Sequence, residues 1–402
     1  MTAPERPRLL VFNQYYRPGP EATGQLLADL CDALAADFDV TVITGALLGE
    51  APPGRERRGD VEVVRVRSTS FERSRLGRRA FNYVSYLTGA LASGLRQPPP
   101  DVVLSMTDPP FVGDVALIAA RRYRAPLVVV SQDVFPEAAL AVGRLDNPLV
   151  AGLLRVLVGA YLRRADCVVA IGETMRRRLV AKGARRERVA VIPNWVDAAE
   201  LAPQPHDNEW SRAKGLAGKF VVMHSGNVGH AQDLDTLVEA AARLAGEKNT
   251  AFAIVGNGAR RRDLERRARD VGAGIFFLDY QPRKMLPLSL SAAHVHVVGL
   301  AAGLSGYVVP SRLYGVLAVG RPAIVAADEE SETARLVREA GCGIVIPPGR
   351  PDLLARTIRD ARDGVHDLEA MGLRGRAWVE AEADRSIAVA RYRDLLHDVL
   401  GG

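Results

Sequence analysis

The chain has 402 residues, more than one hydrophobic core usually supports, so two domains are expected. Apolar residues make up 48% and charged residues 25%, which excludes a mainly disordered chain, and the widely spaced Cys31, Cys167 and Cys342 give neither a disulfide framework nor a zinc knuckle but suit a reducing, cytoplasmic setting. The net charge of +6 comes from the first half, where residues 1–200 carry 27 Lys/Arg against 22 Asp/Glu; the second half is nearly neutral and no nucleic-acid module is present, so nucleic acid is not an expected partner.

Met1 to Arg8 is polar and the apolar run after it is only strand-length, so no signal segment is expected there. Strands are predicted at Leu9–Phe12, Val40–Thr44, Val61–Arg67, Val102–Met106, Leu127–Ser131, Cys167–Ile171 and Val189–Ile192. Helical patterns fall between most of them, at Thr23–Ala36, Arg75–Leu95, Val112–Tyr123, Leu149–Arg163 and Glu173–Lys182. Near-continuous Val/Ile/Leu strands are the mark of a parallel sheet covered on both faces. Arg65 to Arg96 holds seven arginines and one acid, Glu72, interleaved with Phe71, Phe81, Tyr83, Tyr86 and Leu87. That pattern fits an anionic lipid surface, nucleic acid or a plain solvated helix face. The apolar stretch Pro148–Leu162 contains Arg155 and is too short to span a bilayer.

After the polar, proline-bearing segment Leu201–Lys214, which reads as a linker, the same grammar restarts. Strands are expected at Phe220–His224, Ala251–Val255, Ile275–Leu278, Val295–Gly299, Ala323–Ala326 and Gly343–Ile346, with helices at Leu234–Ala245, Arg260–Val271, Met285–Ala293, Ser311–Ala318, Glu332–Ala340 and Asp352–Asp363, and a last helix near Ser386–Leu400. The fold class is α/β with two doubly wound, Rossmann-like domains facing across a cleft, residues 1–200 and 201–379, and ligands bind such sheets beyond the carboxyl ends of the strands.

Several chemistries lack their residues. Gly256-Asn257-Gly258 has no third glycine and is followed by arginines, so it is not a dinucleotide fingerprint. Neither a Walker sequence, a Gly-x-Ser-x-Gly elbow nor a His-Glu-x-x-His pair occurs. The informative residues lie in loops at strand ends. In His224-Ser225-Gly226-Asn227-Val228-Gly229-His230 the glycines either let backbone amides approach an anion or satisfy a tight turn. Gly306 and Tyr307 precede Ser311, placed as a helix cap, and Arg312, which suits a helix N-terminus only with an anion or a carboxylate beside it. Glu332 opens a helix and serves either its dipole or a ribose diol. In the first half, Gly24 follows the first strand, and Asp133 and Glu137 lie in the loop after a central strand, as a base, as an acceptor-orienting group, or as ordinary loop carboxylates.

Taken together, Gly24, Gln132-Asp133-Val134-Phe135-Pro136-Glu137, Ile192-Pro193-Asn194-Trp195-Val196-Asp197, Ser225-Gly226-Asn227-Val228-Gly229 with Gln232-Asp233-Leu234-Asp235, Tyr280-Gln281-Pro282-Arg283, and Val309-Pro310-Ser311-Arg312-Leu313-Tyr314 with Gly320-Arg321-Pro322 resemble the retaining GT-B glycosyltransferases of family 4, in the branch serving bacterial capsule, O-antigen and colanic-acid assembly. The resemblance implies a nucleotide-sugar donor, UDP-linked by family habit, held by the second domain, and an acceptor held by the first. It also implies a C-terminal helix, about 380–402, crossing back to the first domain, retention of anomeric configuration, and no cofactor or catalytic metal. With the loop residues read above, donor binding is expected of Gly24, Ser225, Gly226, Asn227, Gly229, Arg283, Lys284, Gly306, Tyr307, Ser311, Arg312 and Glu332, and catalysis of Asp133, Glu137 and Arg312.

Two departures stand out: Tyr307 and Gly315 occupy the places of the family's paired glutamates, and Asn227 and Gln232 those of its Arg and Lys. The expectation is that Arg312, assisted by Arg283 or Lys284, supplies the missing positive charge and that Glu332 takes over the ribose. The acceptor is expected to be a polyprenyl-diphosphate-linked sugar at the inner membrane face, with Arg73–Leu95 and Leu149–Arg164 as a peripheral contact with anionic lipid. A nucleotide-sugar epimerase, a non-catalytic sugar-nucleotide-binding subunit and a natural-product glycosyltransferase are the competing readings.

Overall fold

The computed structural model describes residues 6–19, 21–46, 51–67, 76–247 and 249–401, with side chains from 82 onward in the helix Leu76–Gly94. Phe71, Glu72, Arg73 and the Phe81 side chain, part of the expected basic segment, lie outside the described residues.

The chain forms two units: Met1–Ile192 together with Val389–Gly402, and Pro193–Ala388. The first is built on an eight-stranded sheet of β1 (Arg8–Phe12), β2 (Asp39–Gly45), β3 (Gly54–Arg58), β4 (Val61–Val66), β5 (Val102–Ser105), β6 (Leu127–Ser131), β7 (Cys167–Ala170) and β8 (Val189–Val191), in the order β3-β4-β2-β1-β5-β6-β7-β8. All neighbours are parallel except β3 and β4. β5 through β7 are buried at every position, as the unbroken Val/Ile/Leu runs require of strands covered on both faces. The sequence reading missed β3, whose residues Gly-Arg-Glu-Arg-Arg carry no apolar pattern; Gly59, at a φ of +58°, turns the chain into a hairpin, and the arginines suit an exposed edge.

The second unit holds β9 (Phe220–Ser225), β10 (Thr250–Val255), β11 (Ile275–Leu278), β12 (Val295–Gly299), β13 (Ala323–Ala326) and β14 (Gly343–Ile346), all parallel, in the order β11-β10-β9-β12-β13-β14. Val222, Ile254, Val297 and Ile324 from its four central strands share one core with Leu237, Ala241, Leu354 and Ile358 from the covering helices.

Two readings are corrected. Leu201–Lys214 is no linker: Asn208 caps the helix Glu209–Ala213 and bonds Leu288 O at 3.0 Å, while Trp210 is 3% exposed and its Nε1 donates to Gln281 Oε1 at 2.8 Å. The prolines and polar residues there anchor a buried tryptophan. The helix Leu368–Trp378 was also missed, because Gly372 and Gly375 look like breakers. They permit close crossing instead, since a Cβ on Gly372 would lie 2.1 Å from Gly320 O and one on Gly375 2.8 Å from Leu317 Cδ2.

The final helix, Arg385–Gly401, straddles the boundary between the units. Beyond Val389 it belongs to the first: Tyr392 and Leu396 are fully buried, Arg393 Nε is 2.5 Å from Asp37 Oδ2, and His397 packs on Phe38 with ring centroids 5.1 Å apart.

Candidate active site

In the second unit the strand order reverses between β9 and β12, and their pairing stops at His296↔Met223. Beyond it β9 stays with β10 as far as Ser225↔Val255, and β12 with β13 as far as Gly299↔Ala326, so the two central strands part and open a crevice at their carboxyl ends. His224 is the next β9 residue after the last pair, and it is fully buried.

Three glycines lock the loops around that crevice. A Cβ on Gly256 would lie 1.9 Å from Gly226 O, one on Gly258 2.3 Å from Val228 O, and one on Gly299 2.2 Å from Gln232 O. No side chain fits at any of these positions, so the loop after β9 is clamped between the ends of β10 and β12. Within it, the amides of Gly226, Val228 and Gly229 donate to Val255 O at 2.8 Å, Asn257 O at 2.9 Å and Gln232 Oε1 at 2.9 Å. These three amides are therefore already engaged. Gly226, at a φ of +139°, instead leaves space for Arg312, whose Nε would be 3.6 Å from a Cβ there.

Arg312 enters from the start of the helix Arg312–Ala318, and its Nη1 lies 3.2 Å from both imidazole nitrogens of His224. His224 Nε2 also lies 3.4 Å from Asn227 O, and the unprotonated nitrogen of the ring accepts from the guanidinium. Burial, and then the charge of Arg312, hold His224 well below its ordinary pKa, so the ring is neutral. Arg312 itself is pushed down to about 10 by burial, and among the described residues no carboxylate lies within ion-pairing distance of it. Of the two partners the sequence allowed this arginine, the internal carboxylate is not there. Tyr280 completes the rim, its hydroxyl donating to Asn257 O at 3.1 Å.

In the first unit the reversal falls between β1 and β5, and the loops after β1, β5 and β6 carry the polar residues. Gln14 N donates to Asp108 O at 2.8 Å, Thr23 Oγ1 to Asp108 Oδ2 at 2.9 Å, and Gln132 N to Thr107 Oγ1 at 3.1 Å. Asp133 follows, open to solvent, with its own carbonyl accepting from Ser131 Oγ at 3.1 Å. Although the residue as a whole is exposed, desolvation of its carboxyl, and then the Asp108 carboxylate, push Asp133 up from 3.8 to about 7. Glu137 is different: burial alone would raise it, but Lys182 Nζ at 2.6 Å and Arg155 Nε at 3.1 Å bring it down. It ties the Asp133 loop to the helices Pro148–Arg164 and Glu173–Ala181.

The protein-family models for a glycosyl transferase 4-like domain and for glycosyl transferases group 1 match residues 22–195 and 207–378. The chain belongs to the family 4 type of GT-B glycosyltransferases. It is similar to the glycosyltransferase WbjE of Pseudomonas aeruginosa, at 27% identity over 98% of both chains, and to the colanic acid biosynthesis glycosyl transferase WcaI of Escherichia coli K12, at 29% identity over 65% of this chain and 66% of that one. Among solved structures, sucrose-phosphate synthase from Thermosynechococcus elongatus superposes with a TM-score of 0.82 at 16% identity, covering 98% of this chain and all of that one. Anabaena HepE in complex with UDP and glucose gives 0.74 at 17%, with the same coverage, and both share the fold.

The remaining expected residues of this glycosyltransferase fall as follows. Ser311 takes the N-cap position but in helical backbone, at φ −62° and ψ −19°, from which its hydroxyl makes no capping bond. Gly306, at a φ of +78°, turns the loop before it, and Tyr307 N donates to Leu304 O at 3.0 Å. Glu332, 8% exposed, opens its helix after the capping Ser331 and is gripped by Arg335. Arg283 Nε is held by Glu200 Oε2 at 2.8 Å, and Lys284 stands exposed beside it, in the loop after the edge strand β11. Ser225 ends β9, and Asn227 packs beside Gly229 and Gly258. Gly24 lies in the first unit, where a Cβ would approach Tyr15 C and Tyr16 N to 3.0 Å. Thr107 and Asp108 went unnoticed, and His224 and Tyr280, quoted within their loops, were given no role; a histidine ending the apolar run Phe220–Met223 was the one available signal. Among the described residues no three His, Cys, Asp or Glu side chains are grouped to hold a metal ion.

Proposed function

We propose that this glycosyltransferase takes a sugar, with retention, from a UDP-sugar whose diphosphate lies on Arg312, and passes it to a hydroxyl of a polyprenyl-diphosphate-linked acceptor in cell-surface polysaccharide or glycolipid assembly. One observation carries the reading: a guanidinium with no carboxylate partner among the described residues, braced by a neutral buried histidine at the strand-order reversal, where α/β sheets bind their ligands. Such a group is complementary to an anion that arrives from outside the protein.

In the reaction the bond from the anomeric carbon to the diphosphate breaks as the acceptor oxygen bonds to the same face. Negative charge grows on the departing diphosphate, and Arg312 stabilises it as a donor fixed before the reaction begins. The helix Leu234–Arg243 turns its N-terminal dipole toward the same end of the sheet. Asp133, rather than Glu137, orients the acceptor hydroxyl and takes its proton, because Glu137 is held by two cations. Glu332 binds the ribose diol, and Tyr280 offers a ring face to the base. Support for UDP comes from the UDP complex of HepE, and support for the pathway from the colanic acid assignment of WcaI.

The test is incubation of the purified protein with a panel of UDP-, GDP- and TDP-sugars, first by thermal shift and then by product analysis. Slow release of free UDP, accelerated by a lipid-linked acceptor, is the expected outcome. A new sugar isomer without nucleotide release would mean an epimerase, and binding without any turnover a non-catalytic subunit.

A further inference from the structure

The sheet of the second unit has another opening at its other end. Where β9, β10 and β12 begin, the segments entering them and the end of the helix Pro351–Arg362 surround a cavity of about 1080 Å³. The crevice at Arg312 lies at the opposite ends of β9 and β12, and the six residues of β9 put about 17 Å between the two. Two imidazoles stand together in the cavity wall. His206, from the segment before the helix Glu209–Ala213, stacks on His294 with ring centroids 3.9 Å apart and planes 5° from parallel, and the Phe220 ring lies 5.0 Å from His294. His294 Nδ1 accepts from Val221 N at 3.1 Å, so the ring proton sits on Nε2, which is bonded to nothing among the described residues. Burial, and then the charge of Arg321, hold His294 down at about 4; burial, the neighbouring ring and Arg321 hold His206 at about 3, so both rings are neutral.

The carboxylates on the rim are already answered. Asp207 meets Arg212 at 2.7 Å, Asp363 meets Arg362 at 2.9 Å, and Glu247 meets Arg359 at 2.8 Å as well as Arg362. Two cations are not answered. Lys219, in the wall, has no carboxylate partner among the described residues, its Nζ lying 5.5 Å from the centre of the Phe276 ring. Arg321, whose charge reaches both histidines, spends its guanidinium on Ser291 O at 3.0 Å and Gln204 O at 2.6 Å. What the cavity has left to offer is hydrogen-bond donors in a positive field, with Leu216, Ala217 and Ala292 as apolar wall beside them.

We propose that this cavity is a second anion site, built for a small phosphate monoester, with the phosphate on Lys219 Nζ and the His294 Nε2–H and the organic part against Leu216, Ala217 and Phe220. A phosphate brings nearly two charges and three strong acceptor oxygens, so it answers both donors at once. The volume far exceeds one phosphate ion and suits a small organic ligand. The site is independent of the sugar-donor reading, since none of its lining residues belongs to the crevice that holds Arg312.

The experiment is calorimetric titration of the full-length protein with glucose 6-phosphate, glycerol 3-phosphate, inorganic phosphate and glucose. One equivalent of a phosphate monoester is expected to bind tighter than about 1 mM, with inorganic phosphate at least about tenfold weaker and glucose not binding. Lys219→Gln should weaken ester binding about ten- to a hundredfold, the worth of one hydrogen bond to a charged group, while Lys219→Arg should largely keep it. Arg312→Ala should bind the ester as wild type does. Lys219 is half-buried and holds no ion pair among the described residues, so unchanged melting by circular dichroism is expected and checks that the variants fold. Failure of both esters to bind, glucose binding as well as its phosphate, or wild-type affinity in Lys219→Gln would overturn the inference. So would loss of ester binding in Arg312→Ala, since the ligand would then sit in the crevice already described. Inorganic phosphate binding as tightly as the esters would overturn the assignment to an ester.

Discussion

Replacing Arg312 tests the donor site directly, and the structure gives opposite signs for the empty and the loaded protein. A buried arginine normally holds a carboxylate, and breaking such a pair costs about 3–5 kcal/mol. Arg312 has no such pair; it meets the neutral His224 and loses hydration, which is why its pKa falls to about 10. Arg312→Ala, and Arg312→Met, which keeps a stem to pack on Gly226, should therefore leave the melting temperature of the ligand-free protein unchanged or raised. With donor present the sign reverses. A hydrogen bond to a charged group is worth about 1.5–3 kcal/mol, or roughly ten- to a hundredfold in affinity. At a donor concentration 100 times the wild-type Kd, wild type gains about 2.7 kcal/mol of stability, while a variant binding tenfold more weakly gains only about 1.4 kcal/mol. Turnover should fall further, by about a hundred- to a thousandfold, because the growing charge on the leaving diphosphate loses a fixed donor. Thermal shift, calorimetric titration with UDP-sugar and a UDP-release assay give the three numbers. A ligand-free protein destabilised by several kcal/mol would mean an internal partner for Arg312, and donor affinity and turnover near wild type would remove it from the site.

Four further outcomes are expected. If Asp133 takes the acceptor proton, kcat/KM for the acceptor should rise with pH through about 7, where its carboxyl ionises, and Asp133→Asn should abolish that rise while leaving UDP affinity intact; a rise that persists in the variant rules Asp133 out. Because that pKa is raised on folding, the protonated form favours the folded state, so Asp133 itself makes the protein less stable as pH climbs from about 4 to about 7, and Asp133→Asn should flatten that part of a stability–pH curve. Gly256→Ala would drive a methyl to within 1.9 Å of Gly226 O, and should weaken UDP binding in calorimetry together with stability, whereas Gly246→Ala, with open space around it, should do neither. Glu137→Gln strands the largely buried Lys182, so a loss of about 1–3 kcal/mol in denaturant unfolding is expected, with acceptor KM changed and UDP affinity unaltered.

The alternation of strands and helices was legible because buried parallel strands are written in Val, Ile and Leu, and the loops that matter follow those strands. Arg312 was legible for a related reason, as a cation at a helix N-terminus conflicts with the dipole unless something answers it. What could not be read was tertiary. Gly226 and Gly229 looked like donors to an anion, but Gly226 N is taken up by Val255 O and Gly229 N by Gln232 Oε1, and the glycines needed for close approach are Gly256, Gly258 and Gly299. Asp133 and Glu137 looked alike four residues apart, and only the positions of Lys182, Arg155 and Asp108 separate a perturbed carboxyl from a structural anion. His224 sits within an apolar strand, where a satisfied core histidine is the ordinary expectation.

The borrowed C-terminal helix has a consequence for anyone recombining these enzymes. Tyr392 and Leu396 complete the core of the lobe that otherwise ends at Ile192, and the outgoing and returning segments are stitched together by Val196 N to Ala383 O at 3.1 Å and Arg385 N to Val196 O at 2.9 Å. A fragment stopping at Ile192 would lack part of its own interior, and nascent chains cannot finish that lobe until the segment beyond Val389 has been made. A hybrid meant to exchange nucleotide specificity must therefore be spliced at two places, near 192 and near 389, carrying the tail along with the head.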